Sequence, residues 1–407
     1  MAGFKEKYLH GLIVFVCVFG LWGGAVRGAH AGGAGGLKWG ADFDLGLAYN
    51  SNVYKLSAAQ KARRDANSTA SQTSGRFTDM ESTDDFIASP EVEFSLKVDG
   101  LGGRDLEIKP GVTYNIYAQN QEKNFLELAL EIKQDVTKYG VFSVEVGYEP
   151  DVFKKNYLSD AIDTSGDGLI TDDERVYSKG NYDKKSIVAS YKHRLWKGPK
   201  GIAGSSELEK VYGKVFAGYE KKDYDSPFDA TRTTDNFLAG TGIDMEFGGG
   251  AELSFKYTFE NITADAAAEV LILNEADFGV DFNGINGIES FDARTVQNVD
   301  RSHNDHKLKV KGRLKVAPDW YAEAGYELRF QFYKSEERFD VTRVDRTDVR
   351  HRVGAGIEGE LAKDWSLGVG WDWTHEEAGR DGLAAINQAD TKSYDRHVVS
   401  AVISYSL

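Results

Sequence analysis

From Leu37 to the last residue, apolar and polar side chains alternate along the chain. The first run sets Leu37, Trp39, Ala41, Phe43, Leu45, Leu47 and Tyr49 against Lys38, Gly40, Asp42, Asp44, Gly46 and Ala48. A period of two is what a strand with two unlike faces requires. Ala88, Pro90, Val92, Phe94, Leu96 and Val98 form the next run, with Ser89, Glu91, Glu93, Ser95 and Lys97 between them. Further runs fall near 106–117, 125–133, 140–149, 185–195, 208–219, 236–247, 251–260, 306–316, 320–332, 348–361, 365–375 and 395–407. The pattern predicts about 14 strands of roughly ten residues, the length a tilted strand needs to cross a membrane.

The connections alternate as well. Asp99–Asp105, Gly248–Gly250, Ala317–Asp319 and Ala362–Asp364 are short, whereas 50–84, 150–184, 220–235, 261–305, 333–347 and 376–394 are long and polar, with one short exception near 118–124. Short turns at one end and long loops at the other are the habit of a transmembrane antiparallel barrel. Aromatic residues mark both rims of the apolar face. Tyr49, Tyr148, Tyr219, Phe259, Phe332 and Trp373 lie beside long loops, and Trp39, Phe247, Trp320 and Trp365 beside short turns. Two girdles around an aliphatic band suit a membrane interface. The expected fold is therefore all-β, a transmembrane antiparallel β-barrel of about 14 strands.

The first 31 residues read differently. Lys5 and Lys7 precede an apolar run from Gly11 to Val26, and Ala29-His30-Ala31 fits a small-residue cleavage site. The run is short for a membrane span, so residues 1–31 are expected to be a signal peptide, with 32–407 forming the barrel. Cleavage would remove Cys17, the one cysteine of the chain. It would also leave the mature protein more acidic than the full chain of 407 residues, whose net charge is −15. That balance excludes a nucleic-acid surface, which needs a basic stripe. Low Pro (6), abundant Gly (44) and 12% aromatic residues fit many strands and turns.

Val399, Ala401, Ile403, Tyr405 and Leu407 alternate with Ser400, Val402, Ser404 and Ser406 to the final residue. This resembles the C-terminal recognition strand of Gram-negative outer-membrane β-barrel proteins, most of which end in Phe or Trp instead of Leu. Gly46-Leu47-Ala48-Tyr49-Asn50-Ser51-Asn52-Val53-Tyr54 is similar to the first strand of porin families. The resemblance implies residence in the outer membrane, with lipid and lipopolysaccharide around the barrel.

In a barrel the polar face points inward. The early strands then carry Asp42, Asp44, Glu91, Glu93, Glu107, Glu127, Glu131, Glu145 and Glu149 on the lumen wall. The tenth predicted strand places Lys307, Lys309, Lys311, Arg313 and Lys315 there, and the twelfth Arg350 and Arg352. The third and tenth strands face each other, so an acidic wall is expected opposite a basic one. Fourteen strands imply a backbone diameter of roughly 28 Å and a lumen of roughly 15 Å.

The loop after the fifth strand contains Asp163-Thr164-Ser165-Gly166-Asp167-Gly168-Leu169-Ile170-Thr171-Asp172-Asp173-Glu174. This resembles the 12-residue EF-hand calcium loop. Asp163, Ser165, Asp167, Leu169 through its carbonyl, Thr171 through water, and Glu174 would ligate Ca2+. A solvated acidic loop is the alternative. On the long-loop side, the motif is expected to be extracellular.

Catalysis has little support. His306, His351, His375 and His397 fall on apolar faces, Ser366 and Ser400 face the other way, and no inward histidine is evident. The stretch Ala266–Leu273 within the 261–305 loop is expected to form a short capping helix. The pattern favours a porin-like, non-enzymatic channel for ions or small solutes. Its rivals are an export duct for a polymer such as an exopolysaccharide, and a structural barrel docking a partner such as an electron-transfer protein.

Overall fold

The computed structural model describes residues 37–69, 77–161, 175–198, 207–264, 267–272, 294–336, 343, 345–380 and 393–407. The chain divides into a unit Met1–Lys38 and a unit Trp39–Leu407, and the barrel belongs to the second. Its strands are β1 (Lys38–Asn50), β2 (Asp85–Asp99), β3 (Asp105–Tyr117), β4 (Phe125–Thr137), β5 (Gly140–Ala161), β6 (Arg175–Lys197), β7 (Leu208–Tyr224), β8 (Thr234–Phe247) and β9 (Ala251–Ala264). After a separate pair, β10 (Ala267–Ile272) and β11 (Arg294–Val299), come β12 (His303–Ala317), β13 (Trp320–Tyr333), β14 (Arg346–Ala362), β15 (Trp365–Arg380) and β16 (Tyr394–Ser406). Fourteen of these form a closed antiparallel barrel, and every predicted alternating run corresponds to one of them. β1 closes on β16 from Asp42↔Ser406 to Asn50↔Val398.

The alternation sorts the faces. Leu45, Leu47, Ile187, Val215, Ile243, Leu308, Leu314, Ile357, Val369 and Val399 stand exposed on the outer surface. A continuous exposed apolar band of this size is a lipid face. Among the described residues, the clusters of buried apolar side chains lie in the segments beside the long loops. Tyr54, Leu56, Phe77, Met80 and Phe153 make one, and Tyr157, Tyr224 and Phe228 the other. No described helix is long and apolar enough to cross a membrane.

The short turns are as tight as predicted. Asp319 and Asp364 take positive φ of 60° and 65° in two-residue hairpins, a conformation Asp tolerates better than most residues. Gly249 and Gly250, at φ 80° and 81°, need the absence of a Cβ. At the opposite rim the girdle tyrosines lean on the neighbouring strand. Tyr49 Oη donates to Asp84 at 2.7 Å, Tyr148 Oη to Asp183 at 2.9 Å, and Tyr219 Oη to Asp235. Each ring faces lipid while its hydroxyl reaches an acid at the water boundary.

Three expectations need correction. The loop expected at 150–184 is mostly strand, because β5 runs 22 residues and β6 runs 23, pairing as far as Ala161↔Arg175. Bulges after Glu149, Phe153 and Leu158 interrupt the period of two, which hid this extension from pattern reading. Ala266–Leu273 does not form a capping helix. Ala267–Ile272 is β10, paired with β11 through Val270↔Val296, as its run of Val, Leu and Ile favours. The 50–84 loop contains a helix, α1 (Ala58–Thr69), that the pattern did not announce.

A closed barrel of this kind resists detergent until it is heated. Purified folded protein is expected to run faster on an SDS gel unheated than boiled. Identical mobility in both states would contradict the closed barrel.

Candidate functional site

The face opposite the lipid band carries the charge. On β12, Lys307 Nζ meets Glu260 at 2.6 Å and Lys311 meets Glu323 at 2.7 Å. Arg313 lies 3.6 Å from Glu323 and 3.7 Å from Glu252, and also pairs with Glu358. Its guanidinium sits 3.9 Å from the Tyr321 ring centre, and Lys315 lies over the same ring at 5.7 Å. The partners are on the adjacent strands β9 and β13 and on β14 beyond β13, not on the far wall, so Lys307, Lys311 and Arg313 are neutralised laterally. Arg350 meets Glu327 at 3.3 Å and Glu376 at 4.0 Å, and Arg352 meets Asp372 at 3.0 Å.

β3 stands seven strands from β12 in the barrel order, as expected, but its wall is not purely acidic. Glu93 pairs with Lys109 at 2.8 Å, Glu107 with Lys97 at 3.3 Å, Glu131 with Lys133 at 2.6 Å and Glu149 with Lys184 at 2.6 Å. Single-residue alternation shows Glu93 and Glu107 as a stripe. Only the cross-strand register shows that cations sit between them.

Two groups of charge stay without an ion pair among the described residues. Glu91 is repelled by Asp44, Glu93 and Glu127. Lys256 is repelled by Lys214, Lys307 and Lys309 and attracted by Glu145, and Lys256 is the register partner of Lys309. The first group lies on β1–β4 and the second on β7, β9 and β12, so a weakened transverse field survives.

Beside Lys309 the wall is thin. Gly325, Gly354, Gly356, Gly368 and Gly370 occupy positions of β13–β15 on the charged face, leaving a recess of about 310 Å³ edged by Lys309, Lys311, Glu323, Glu327, Arg352 and Asp372. This volume falls at the lower end of small-molecule clefts, which span roughly 300–1,000 Å³.

The described stretches 51–69 and 77–84 are clamped to neighbouring elements. Asn52 is fully buried; its Nδ2 donates to the carbonyls of Leu56 (2.8 Å) and Asp395 (3.0 Å), and its Oδ1 accepts from Leu56 N at 2.8 Å. Ser57 caps α1, accepting from Gln60 N at 3.2 Å while its own N–H donates to Gln60 Oε1 at 3.3 Å, a reciprocal capping box. Tyr54 Oη reaches Asp79 O and Asn120 Oδ1, and its ring packs with Leu56, Phe77, Met80 and Phe153. Asn120 is held in turn by Asp85, which accepts from its backbone N–H at 2.7 Å and its side-chain amide at 2.8 Å. Asn156 Nδ2 donates to Asp79 at 2.9 Å. Sequence reading missed Asn52, Asp85 and Asn120; the one signal present was the Asn-rich Asn50-Ser51-Asn52, a sign of local turn bonding.

A buried ion pair was missed as well. Asp305, 1% exposed, meets Arg329 at 2.7 Å and lies 3.9 Å from His303. His303 shares the face of Asp305 and Lys307, so an inward-facing histidine does exist. Its Nδ1 is tied to Arg301 O at 2.8 Å, and burial holds its imidazole below the ordinary value despite Asp305. The outward histidines join aromatic groups. Tyr257 and Tyr326 hydroxyls contact His306 and His351 at 2.8 Å, His397 stacks on Trp371, and His375 lies against Trp373 and Asp395. Among the described residues no group of three or more His, Cys, Asp or Glu could hold a metal. The EF-hand-like residues 163–174 lie outside the described residues.

No family model matches the chain, and no curated protein does. Solved outer-membrane proteins are similar to it at low scores. Vibrio cholerae OmpT in its trimer form has a TM-score of 0.39 and 11% identity, covering 92% of this chain and 100% of that one. An anion-selective porin from Comamonas acidovorans gives 0.34 and 12%, with 92% and 100% covered. Pseudomonas aeruginosa OprD gives 0.35 and 8%, with 91% and 95% covered.

Replacing Asn52 with Ala leaves two backbone groups of Leu56 and one of Asp395 without their partner, at about 1–3 kcal/mol for a buried unsatisfied group. Amide exchange across 51–62 is expected to accelerate at least several-fold while β12–β15 keep their protection. Unchanged exchange in 51–62 would contradict the clamp.

Proposed function

We propose that the chain is a passive, non-enzymatic channel in the outer membrane of a Gram-negative cell, passing ions or small solutes through a wet lumen. One observation carries this reading: Lys214, Lys256 and Lys309 share the inner wall without a carboxylate partner among the described residues, beside an open recess. A lipid-facing cation costs roughly 2–4 kcal/mol near the midplane, and a dry unpaired one costs more. Such a cluster is affordable only in water. Export of a bulky polymer and sheathing of a partner protein draw less support, because nothing beyond the 310 Å³ recess on the charged face offers a large concave surface among the described residues.

In planar bilayers the purified barrel is expected to conduct. Lys256→Glu with Lys309→Glu should shift the reversal potential toward cations. The shift should shrink between 0.1 M and 1 M salt, as the Debye length falls from about 10 Å to about 3 Å. Absence of conductance would defeat the channel reading, and unchanged selectivity would remove these lysines from the conduction path.

The 163–174 motif is proposed to hold a structural Ca2+ outside the cell. β5 and β6, which flank the motif in the sequence, pair as far as Ala161↔Arg175, and this supports the reading. Calorimetry should show calcium binding that Asp163→Ala with Glu174→Ala abolishes; equal binding by both proteins would refute it.

A further inference from the structure

The cations of the inner wall have an order that no single strand displays. Lys192 on β6 is the register partner of Lys214 on β7, Lys214 of Gly242 on β8, and Gly242 of Lys256 on β9. Lys256 lies opposite Lys309 on β12. The same row runs on through Glu327 on β13 and Arg352 on β14 to Thr374 on β15 and Arg396 on β16. These strands are neighbours in the barrel order, so six cations and one acid share a single row across the wall. Successive cations stand no more than two strands apart, about 10 Å at roughly 4.8 Å per strand.

Barrel strands tilt, so a row drawn across them climbs. Lys192 stands five residues from Lys197, the last residue of β6 at the short-turn end. Arg396 stands ten residues from Ser406, the last residue of β16 at the same end. At about 3.3 Å per residue, the row rises by roughly 16 Å along the strands toward the long loops.

Stability does not ask for this arrangement. Like charges directly opposite one another weaken a sheet, and Lys256 and Lys309 are directly opposite. Gly242 puts no side chain between Lys214 and Lys256. Thr374 puts only a hydroxyl between Arg352 and Arg396, accepting from Arg396 Nη2 at 3.4 Å. Glu327, the acid of the row, is engaged by Arg350 at 3.3 Å. Lys192 meets Asp244 at 2.7 Å and Arg352 meets Asp372 at 3.0 Å. Lys214, Lys256, Lys309 and Arg396 have no carboxylate partner among the described residues. Lys309 is exposed and edges the recess. The acids without ion pairs, Asp44, Glu91 and Glu127, lie on β1, β2 and β4, outside the row, and repel an anion toward it.

We infer that this row is an anion-binding track, which takes small oxyanions and carboxylates and holds a doubly charged one best between Lys256 and Lys309. Directly opposite residues of antiparallel strands have Cα atoms roughly 4.5–5.5 Å apart, so two flexible ammoniums there reach one anion. The inference rests on the channel reading and adds to it the sign of the solute and the path that it follows.

Two measurements on the full folded chain test it, with inorganic phosphate as the probe. In bilayers, phosphate should reduce the chloride current. The phosphate concentration needed for half reduction should rise at least threefold in Lys214→Gln and in Arg396→Gln, which stand far apart on the row. It should stay at the wild-type value in Lys109→Gln, which removes the same charge from β3. Equal effects of all three substitutions, or none in the row variants, would overturn the track. The second measurement needs no current. Acetylation of the wild-type barrel in detergent, read by mass spectrometry, should slow at least threefold at Lys256 and Lys309 when phosphate replaces potassium chloride at equal ionic strength. Lys363, exposed in a short turn, should keep its rate. Absence of slowing at Lys256 and Lys309, or equal slowing at Lys363, would overturn the anion row while any current leaves the channel standing. Protection of Lys256 and Lys309 in a barrel that passes no current would uphold anion binding by the row and overturn the channel reading instead.

Discussion

A strand in lipid has no water to satisfy its peptide groups, so its edge must pair. The register of β1 on β16, from Asp42↔Ser406 to Asn50↔Val398, meets that demand by leaving the barrel no edge. The rest of the structure follows from this closure. Once every strand is paired on both sides, each side chain points either to lipid or to the enclosed space. Leu308 and Leu314 go out, and Lys307, Lys309 and Arg313 go in. The fold is inverted relative to a water-soluble protein, with its buried apolar clusters confined to segments beyond the aromatic girdle.

Closure also concentrates charge, and the strands neutralise most of it sideways. Lys307 with Glu260, Lys311 with Glu323 and Arg352 with Asp372 join neighbouring strands. Where water reaches them such pairs contribute little stability, about 0–1 kcal/mol each. Their larger effect is to cancel the field locally, so that the groups unpaired among the described residues dominate the field of the enclosed space: Asp44, Glu91 and Glu127 on one wall, Lys214, Lys256 and Lys309 on the other. The Asp305–Arg329 pair differs, because burial makes loss of one partner expensive, roughly 3–5 kcal/mol. It secures the outer end of β12 to β13.

The number and order of the barrel strands were legible because a period of two survives in every one of them. What escaped has physical causes. The outer part of β5 contains bulges that break the period, so it and the part of β6 paired with it passed for loop. Lys97 and Lys109 escaped as partners of Glu107 and Glu93 because pairing depends on register, which a single strand does not display. Asn52, Asp85 and Asn120 act through backbone groups of segments far along the chain, as in the bond from Asn52 to Asp395. Side-chain type alone does not announce such a clamp. The helix expected at Ala266–Leu273 failed because Val270, Leu271 and Ile272 suit a strand once β11 offers an edge.

The central claim is that alternate residues of one strand meet lipid and water. With Cys17 replaced by Ser, the chain has no other cysteine, so single cysteines report cleanly. Lys309→Cys and Leu308→Cys barrels reconstituted in liposomes should be treated with a charged, membrane-impermeant thiol reagent. The account predicts rapid modification at 309 and protection at 308. Equal modification of the two, or protection at 309 with reaction at 308, would contradict it.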